Sequence, residues 1–299
     1  MTLRLGLIDY VNIFPLTHPL EEEGRWRFER ATPSTLNRLL ADGELDASPV
    51  SSIEYPRHAD RYVLLPDISI SSGGEVQSVV LFSRIPLEQL HDQPLGICAS
   101  TATSRVLLRI VLEDHVNVTP RYLEHATLEG ALEGQWPAVL LIGDDALAFR
   151  RATLQSPALR DFSPHDLGAR WTALTGLPMV FAVWAVRREV ASSPEVARLI
   201  DDLRASREQG SLLPPSLLAR AQTRTGLSHE ALIDYYRRLH FTLGPREERA
   251  LLAFYARAAA KGLCPPCARI EYALTLPPST VAPAMGAACL GGSPLGGTP

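Results

Sequence analysis

Small polar residues collect just past the apolar runs of this chain. Asp9-Tyr10-Val11-Asn12 follows the run Leu5 to Ile8, and Ser51-Ser52 follows Pro49-Val50. Ser78 interrupts a third run. Ser100, Thr101, Thr103 and Ser104 crowd the start of a helical stretch, and Gly143-Asp144 follows Ala138 to Ile142. Hydroxyls, amides and free backbone N–H groups at a helix start suit a carboxylate, because the helix dipole adds partial positive charge to the hydrogen bonds. Open α/β sheets bind ligands beyond the carboxyl ends of their strands. Singly, each residue has a plainer reading: Ser100 or Thr101 is a helix cap, Asn12 a turn residue. Their shared placement at strand ends points to a site for a small acid.

Other chemistries lack their motifs. There is no His-Glu-x-x-His, no phosphate loop ending in Lys-Ser/Thr, no Gly-x-Ser-x-Gly and no Gly-x-Gly-x-x-Gly after a strand. The eight histidines are scattered. No metal and no cofactor is expected. Cys264-Pro265-Pro266-Cys267 has redox or half-zinc spacing, but no second Cys/His pair stands at zinc spacing, so it reads as a turn. Cys98 reads as a small core residue, and Cys289 falls in the tail. With 29 basic and 33 acidic residues the net charge is −4, and no basic block suggests nucleic acid. No apolar run approaches the ~18–20 residues needed to span a bilayer. Met1-Thr2-Leu3-Arg4 runs directly into a strand without the pattern of a secretory signal. A cytoplasmic protein with no membrane partner is expected.

The elements that must hold these residues read as α/β. Thr32-Pro33-Ser34 opens a helix with Leu36, Leu39 and Leu40 on its apolar face. Two similar strands, 76–83 and 179–186, lie about a hundred positions apart, with a complete α/β segment between them. This suggests one lobe inserted in another, with the two strands as crossovers. Lobe 1 is expected at 1–83 and 184–276, and lobe 2 at 84–183. Helices starting at Ser193, Ser228 and Pro245 would pack back on lobe 1. The stretch 277–299 is rich in Pro, Gly and Ala and is expected to be a disordered tail.

At these same residues the chain resembles the chorismate dehydratases of the futalosine route to menaquinone. The matching stretches are Ile8 to Leu16, Pro49 to Tyr55, Ser78 to Ser83, Thr101 to Leu108, Leu141 to Asp144, and Asp166 to Gly168 running on through Trp171, Thr175 to Pro178 and Val183 to Ala185. The resemblance covers roughly residues 5–275 in order and spacing. It implies a two-lobed fold of the periplasmic-binding-protein type II with two crossover strands. The Cys-Pro-Pro-Cys segment and the tail have no counterpart in it.

The implied reaction is loss of a ring hydroxyl and a ring proton from the dicarboxylate chorismate, giving 3-[(1-carboxyvinyl)oxy]benzoate. By the resemblance, Asn12 and Ser78 are the catalytic pair, acting on the departing hydroxyl. Thr101, Thr103 and Ser104 are placed to bind one carboxylate, and Ser51 and Ser52 the other end. Tyr10, Gly143 and Asp144 complete the substrate-binding set. Asp9, Glu54 and Asp144 are the available protein bases, but each has a structural reading, so the substrate's own enolpyruvyl carboxylate is the favoured base. Two alternatives stay open. One is a non-catalytic binding protein for a small carboxylic acid. The other is the related 1,4-dihydroxy-6-naphthoate synthase, which looks for a catalytic histidine and a differently composed first loop.

Overall fold

The computed structural model describes residues 2–99 and 102–273. Ser100, Thr101, Cys289 and the expected tail lie outside them. In chain order the strands are β1 (Leu5–Ile8), β2 (Phe28–Ala31), β3 (Ala47–Ser51), β4 (Tyr62–Ser72), β5 (Val79–Ser83), β6 (Pro94–Cys98), β7 (Arg121–Ala126), β8 (Ala138–Ile142), β9 (Ser163–Asp166) and β10 (Met179–Arg187). They form two five-stranded sheets, ordered β2-β1-β3-β10-β4 and β7-β6-β8-β5-β9. In each sheet the strands followed by helices run parallel, while the strand reached from the other lobe runs antiparallel. Strands β1, β3, β5 and β8 are buried along their whole length. Helices therefore cover both faces, and these strands read as near-continuous apolar runs.

The two long apolar strands do not themselves cross between lobes. Among the described residues strand β5 pairs with β8 and β9, and β10 with β3 and β4. By sheet membership the chain crosses at 73–78 and returns at 176–178, earlier than the expected divisions at 83/84 and 183/184. An apolar run signals a buried strand but says nothing about which sheet supplies its hydrogen bonds. The crossings are instead the short polar and Gly/Pro segments before each strand. The first is fastened to the start of the helix Leu167–Thr175. Asp166 caps the helix Leu167–Thr175 through the Ala169 amide, and its carboxylate also accepts from the Val76 and Gln77 amides at 3.0 and 2.7 Å. A Cβ on Gly168 would sit 2.6 Å from the Gly74 carbonyl oxygen, so only glycine permits this approach.

Among the described residues four helices follow β10, not the three expected: Pro194–Ser211, Pro215–Thr225, His229–Arg237 and Pro245–Ala260. Ser193 and Ser228 cap the first and third, as their sequence positions suggest. Pro194–Ser211 lies against the helix Phe14–Glu22, so close that a Cβ on Gly210 would overlap the Pro15 carbonyl. The other three reach the junction of the two sheets, where their side chains bear on the site.

Candidate active site

Three helices begin just beyond strand ends: Pro33–Ala41 after β2, Ala102–Arg109 after β6 and Gly143–Gln155 after β8. Their first residues, Pro33, Ala102 and Gly143, line one cavity between the two sheets. Each terminus carries the partial positive charge of its helix dipole. The remaining lining comes from the first lobe (Ile8, Tyr10, Asn12, Ser51, Phe181, Ala182) and the second (Ser78, Val79, Thr103, Ser104, Ile142). Among these residues there is no Lys, Arg, His, Asp or Glu. The polar part of the wall is made of helix ends, hydroxyls and one amide, groups suited to an anion, and the rest is apolar, with Ile8, Val79, Ile142 and Phe181. The cavity's volume is only about 60 Å³, the share of about two waters. A roomier depression of about 650 Å³ lies at the starts of β1 and β2, lined by Arg4, Arg27 and Glu44 among others. It sits at the amino ends of parallel strands, opposite the end where such sheets bind ligands.

Asn12 sits on the short turn Val11–Ile13, and its Oδ1 is buried without a hydrogen bond among the described residues. A buried polar atom left unpaired costs on the order of 1–3 kcal/mol, so this oxygen is an acceptor open to a ligand donor such as a hydroxyl. Ser78 faces it from the other lobe. Its Oγ accepts from Tyr235 Oη at 3.0 Å and makes only a long 3.4 Å contact to the Val76 carbonyl. Its own carbonyl accepts from the Gly143 amide at 2.7 Å. Gly143 has φ +58°, and a Cβ there would stand 2.9 Å from the Tyr10 ring. The ring packs on a position that glycine alone can fill.

Several expected substrate contacts are committed elsewhere. Ser52 is fully buried and lies behind the wall. Its Oγ donates to the Val180 carbonyl at 2.8 Å, which uses its single proton. Thr103 Oγ1, 3.3 Å away, therefore donates to Ser52 while accepting from the Ile53 amide at 3.2 Å. Thr103 lines the cavity, but its hydroxyl proton joins the lobes and is not free for a carboxylate. Asp144 is likewise turned from the cavity. Its Oδ1 accepts from the Val11 amide and its Oδ2 pairs with Arg224. Burial pushes its carboxyl above the usual range, and those two partners offset only part of that. Thr101 lies outside the described residues. Tyr10, Asn12, Ser51, Ser78, Thr103, Ser104 and Gly143 are brought together around the cavity.

None of the three candidate bases faces it. Asp9 is half exposed and paired with Arg224 at 2.8 Å, and Glu54 with Arg57 at 2.8 Å. The third is Asp144. Sequence reasoning also missed Tyr235, Tyr236 and Arg224. The tyrosines occupy the apolar face of a helix, where an aromatic reads as core, and Arg224 belongs to the helix that was not anticipated. Cys264 and Cys267 are free thiols whose burial raises them above the usual thiol range. No group of three His, Cys, Asp or Glu side chains among the described residues is placed to hold a metal ion.

A family model described as menaquinone biosynthesis matches residues 3–260. A chorismate dehydratase of Thermus thermophilus is 38% identical over 78% of this chain and 86% of its own length. A 1,4-dihydroxy-6-naphthoate synthase of the same organism is 28% identical over 79% of this chain and 84% of its own. Among solved structures, a protein of Archaeoglobus fulgidus superposes with a TM-score of 0.71 at 18% identity, covering 88% of this chain and 98% of that one. The periplasmic aliphatic sulphonate binding protein of Escherichia coli superposes at 0.64 and 15% identity, covering 99% and 98%. These likenesses establish the two-lobed periplasmic-binding-protein fold.

Proposed function

We propose that this chain, which belongs to the menaquinone biosynthesis family, removes water from chorismate to give 3-[(1-carboxyvinyl)oxy]benzoate. The observation that carries this reading is a cavity with three helix N-termini, the unpaired Oδ1 of Asn12 and no Lys, Arg, His, Asp or Glu in its described wall. Such a wall binds a small dianion and leaves the proton transfer to the ligand. The helix ends and Ser104 hold the two carboxylates. Asn12, through its Nδ2 amide, and Ser78 donate to the ring hydroxyl as it leaves, an interaction that strengthens as charge develops on oxygen.

The enolpyruvyl carboxylate takes the ring proton. The electrons of the broken C–H bond enter the ring, the C–O bond breaks, and the hydroxide departs with its electron pair. The two fragments amount to one water. Aromatisation drives the step, and enclosure strengthens a weak base by holding it close to the proton. Placement in the cytoplasm, with chorismate as ligand and neither nucleic acid nor membrane as partner, belongs to the same reading. Among the described residues no helix is long and apolar enough to cross a membrane.

Mass spectrometry of purified protein mixed with chorismate tests this. Appearance of the enolpyruvyl benzoate supports dehydration. Tight binding without conversion would favour a binding protein instead. The naphthoate synthase reading calls for a histidine, and none stands in the described lining.

A further inference from the structure

Two consecutive residues on one helix reach the two groups assigned to the leaving hydroxyl. Tyr235 Oη donates to Ser78 Oγ at 3.0 Å, and Tyr236 Oη donates to the Val11 carbonyl at 3.1 Å. Val11 immediately precedes Asn12 in the turn. Ser78 belongs to the crossing into the second lobe, and Asn12 to the first. The helix His229–Arg237 therefore touches the backing of both, one from each side of the cavity.

The direction of the Tyr235 bond decides what Ser78 can do. Tyr235 is fully buried, and its phenol has one proton, which goes to Ser78 Oγ. Burial also keeps it protonated, since a phenolate there would lose its hydration. With a lone pair of Ser78 so occupied, the Ser78 proton must go elsewhere. Among the described residues the only protein acceptor is the Val76 carbonyl at 3.4 Å, longer than an ordinary O–H···O bond. A ligand oxygen in the cavity is the better acceptor. Tyr236 fixes the turn in a parallel way, taking up the Val11 carbonyl while Asp144 takes up the Val11 amide at 3.0 Å. The rings of the two tyrosines lie 5.3 Å apart, tilted by 43°, so each limits the movement of the other.

We propose that Tyr235 and Tyr236 are positioning residues for the elimination: Tyr235 turns Ser78 into a hydrogen-bond donor toward the cavity, and Tyr236 holds the Asn12 turn at the same oxygen. This rests on the dehydratase reading, and the roles are separable by thermodynamic coupling. The measurement is steady-state turnover of chorismate by Tyr235→Phe, Tyr236→Phe, Ser78→Ala, Asn12→Ala and their double variants.

Tyr235→Phe should lower kcat about tenfold, the scale of one hydrogen bond, with KM little changed. In the Ser78→Ala background it should cost nothing further. Tyr236→Phe should be non-additive with Asn12→Ala and additive with Ser78→Ala. A tyrosine that serves only the core would instead lower the melting temperature and multiply its effect independently of Ser78. Full additivity of Tyr235→Phe with Ser78→Ala overturns the inference and leaves dehydration standing. Wild-type protein that does not convert chorismate overturns the dehydratase reading itself. Should Tyr235→Phe not fold, 3-fluorotyrosine at position 235 replaces it. A stronger donor there should change kcat, and an unchanged kcat would overturn the proposal.

Discussion

Asp144 of the second lobe accepts a hydrogen bond from the Val11 amide of the first at 3.0 Å. Arg224 then binds the same carboxylate and reaches Asp9 at 2.8 Å, so one arginine ties both walls of the cavity together at its rim. The carboxylate expected to touch substrate instead sets the position of the turn that carries Asn12. Asp144→Ala should therefore lower kcat for chorismate by about tenfold, on the scale of a lost charge-assisted hydrogen bond, with KM little changed. Asp144→Asn, which keeps one acceptor for Val11, should be milder. Steady-state kinetics of the two variants check this ordering.

Gly143 combines a left-handed backbone with the Tyr10 ring at van der Waals range. Gly143→Ala meets both obstacles. Its backbone cost is about 1–2 kcal/mol, and the ring must also move. Chemical denaturation should show at least that loss, accompanied by a higher KM because Tyr10 leaves the wall.

On the far side of the junction, Lys261 follows the helix Pro245–Ala260 and pairs with Glu113 at 2.9 Å, in the second-lobe segment Ile110–Val116. Burial pushes the Glu113 carboxyl up, but hydrogen bonds from Arg109 and Lys261 outweigh it and hold the group below its ordinary 4.5. Folding therefore favours the ionised form. The stabilisation is complete above pH 4.5 and is lost as the pH falls through the depressed value. Glu113→Gln should be less stable than wild type at pH 7 by on the order of 1 kcal/mol. Thermal melts should show that gap closing in more acidic solution, and a gap independent of pH would contradict it.

The wall of the cavity was legible where residue type and element boundary coincide. Tyr10, Asn12, Ser51 and Ser78 follow or interrupt apolar runs, and such runs end where the sheet ends. The commitments of Ser52, Thr103 and Asp144 were not legible, because a hydroxyl or carboxylate at a strand end looks the same whether it serves a ligand or the opposite lobe. Which it serves depends on how closely two distant segments approach, as at Gly168 and Gly74. Pro33 illustrates a third case. Its helix start was plain from Thr32-Pro33-Ser34, yet its convergence with Ala102 and Gly143 arises only when both sheets are assembled.

With no Lys, His, Asp or Glu in the described wall, the rate should not report a protein titration near neutrality. The pH profile of kcat/KM should be level from about pH 6 to 9, since a substrate carboxylate ionises well below that window. An inflection near pH 7 that disappears on substitution of a single Asp, Glu or His would identify a protein base and contradict the substrate-assisted step.

Asn12 bears the central claim, that this cavity expels the hydroxyl of chorismate through a donated hydrogen bond. Asn12→Asp keeps the size of the side chain but turns the amide into a carboxylate facing an anionic ligand. The direct measurement is kcat of Asn12→Asp and Asn12→Ala against wild type, following enolpyruvyl benzoate by mass spectrometry. The account predicts losses of about 10²–10³ in kcat for Asn12→Ala, and a larger loss for Asn12→Asp. Wild-type turnover by both variants would contradict it.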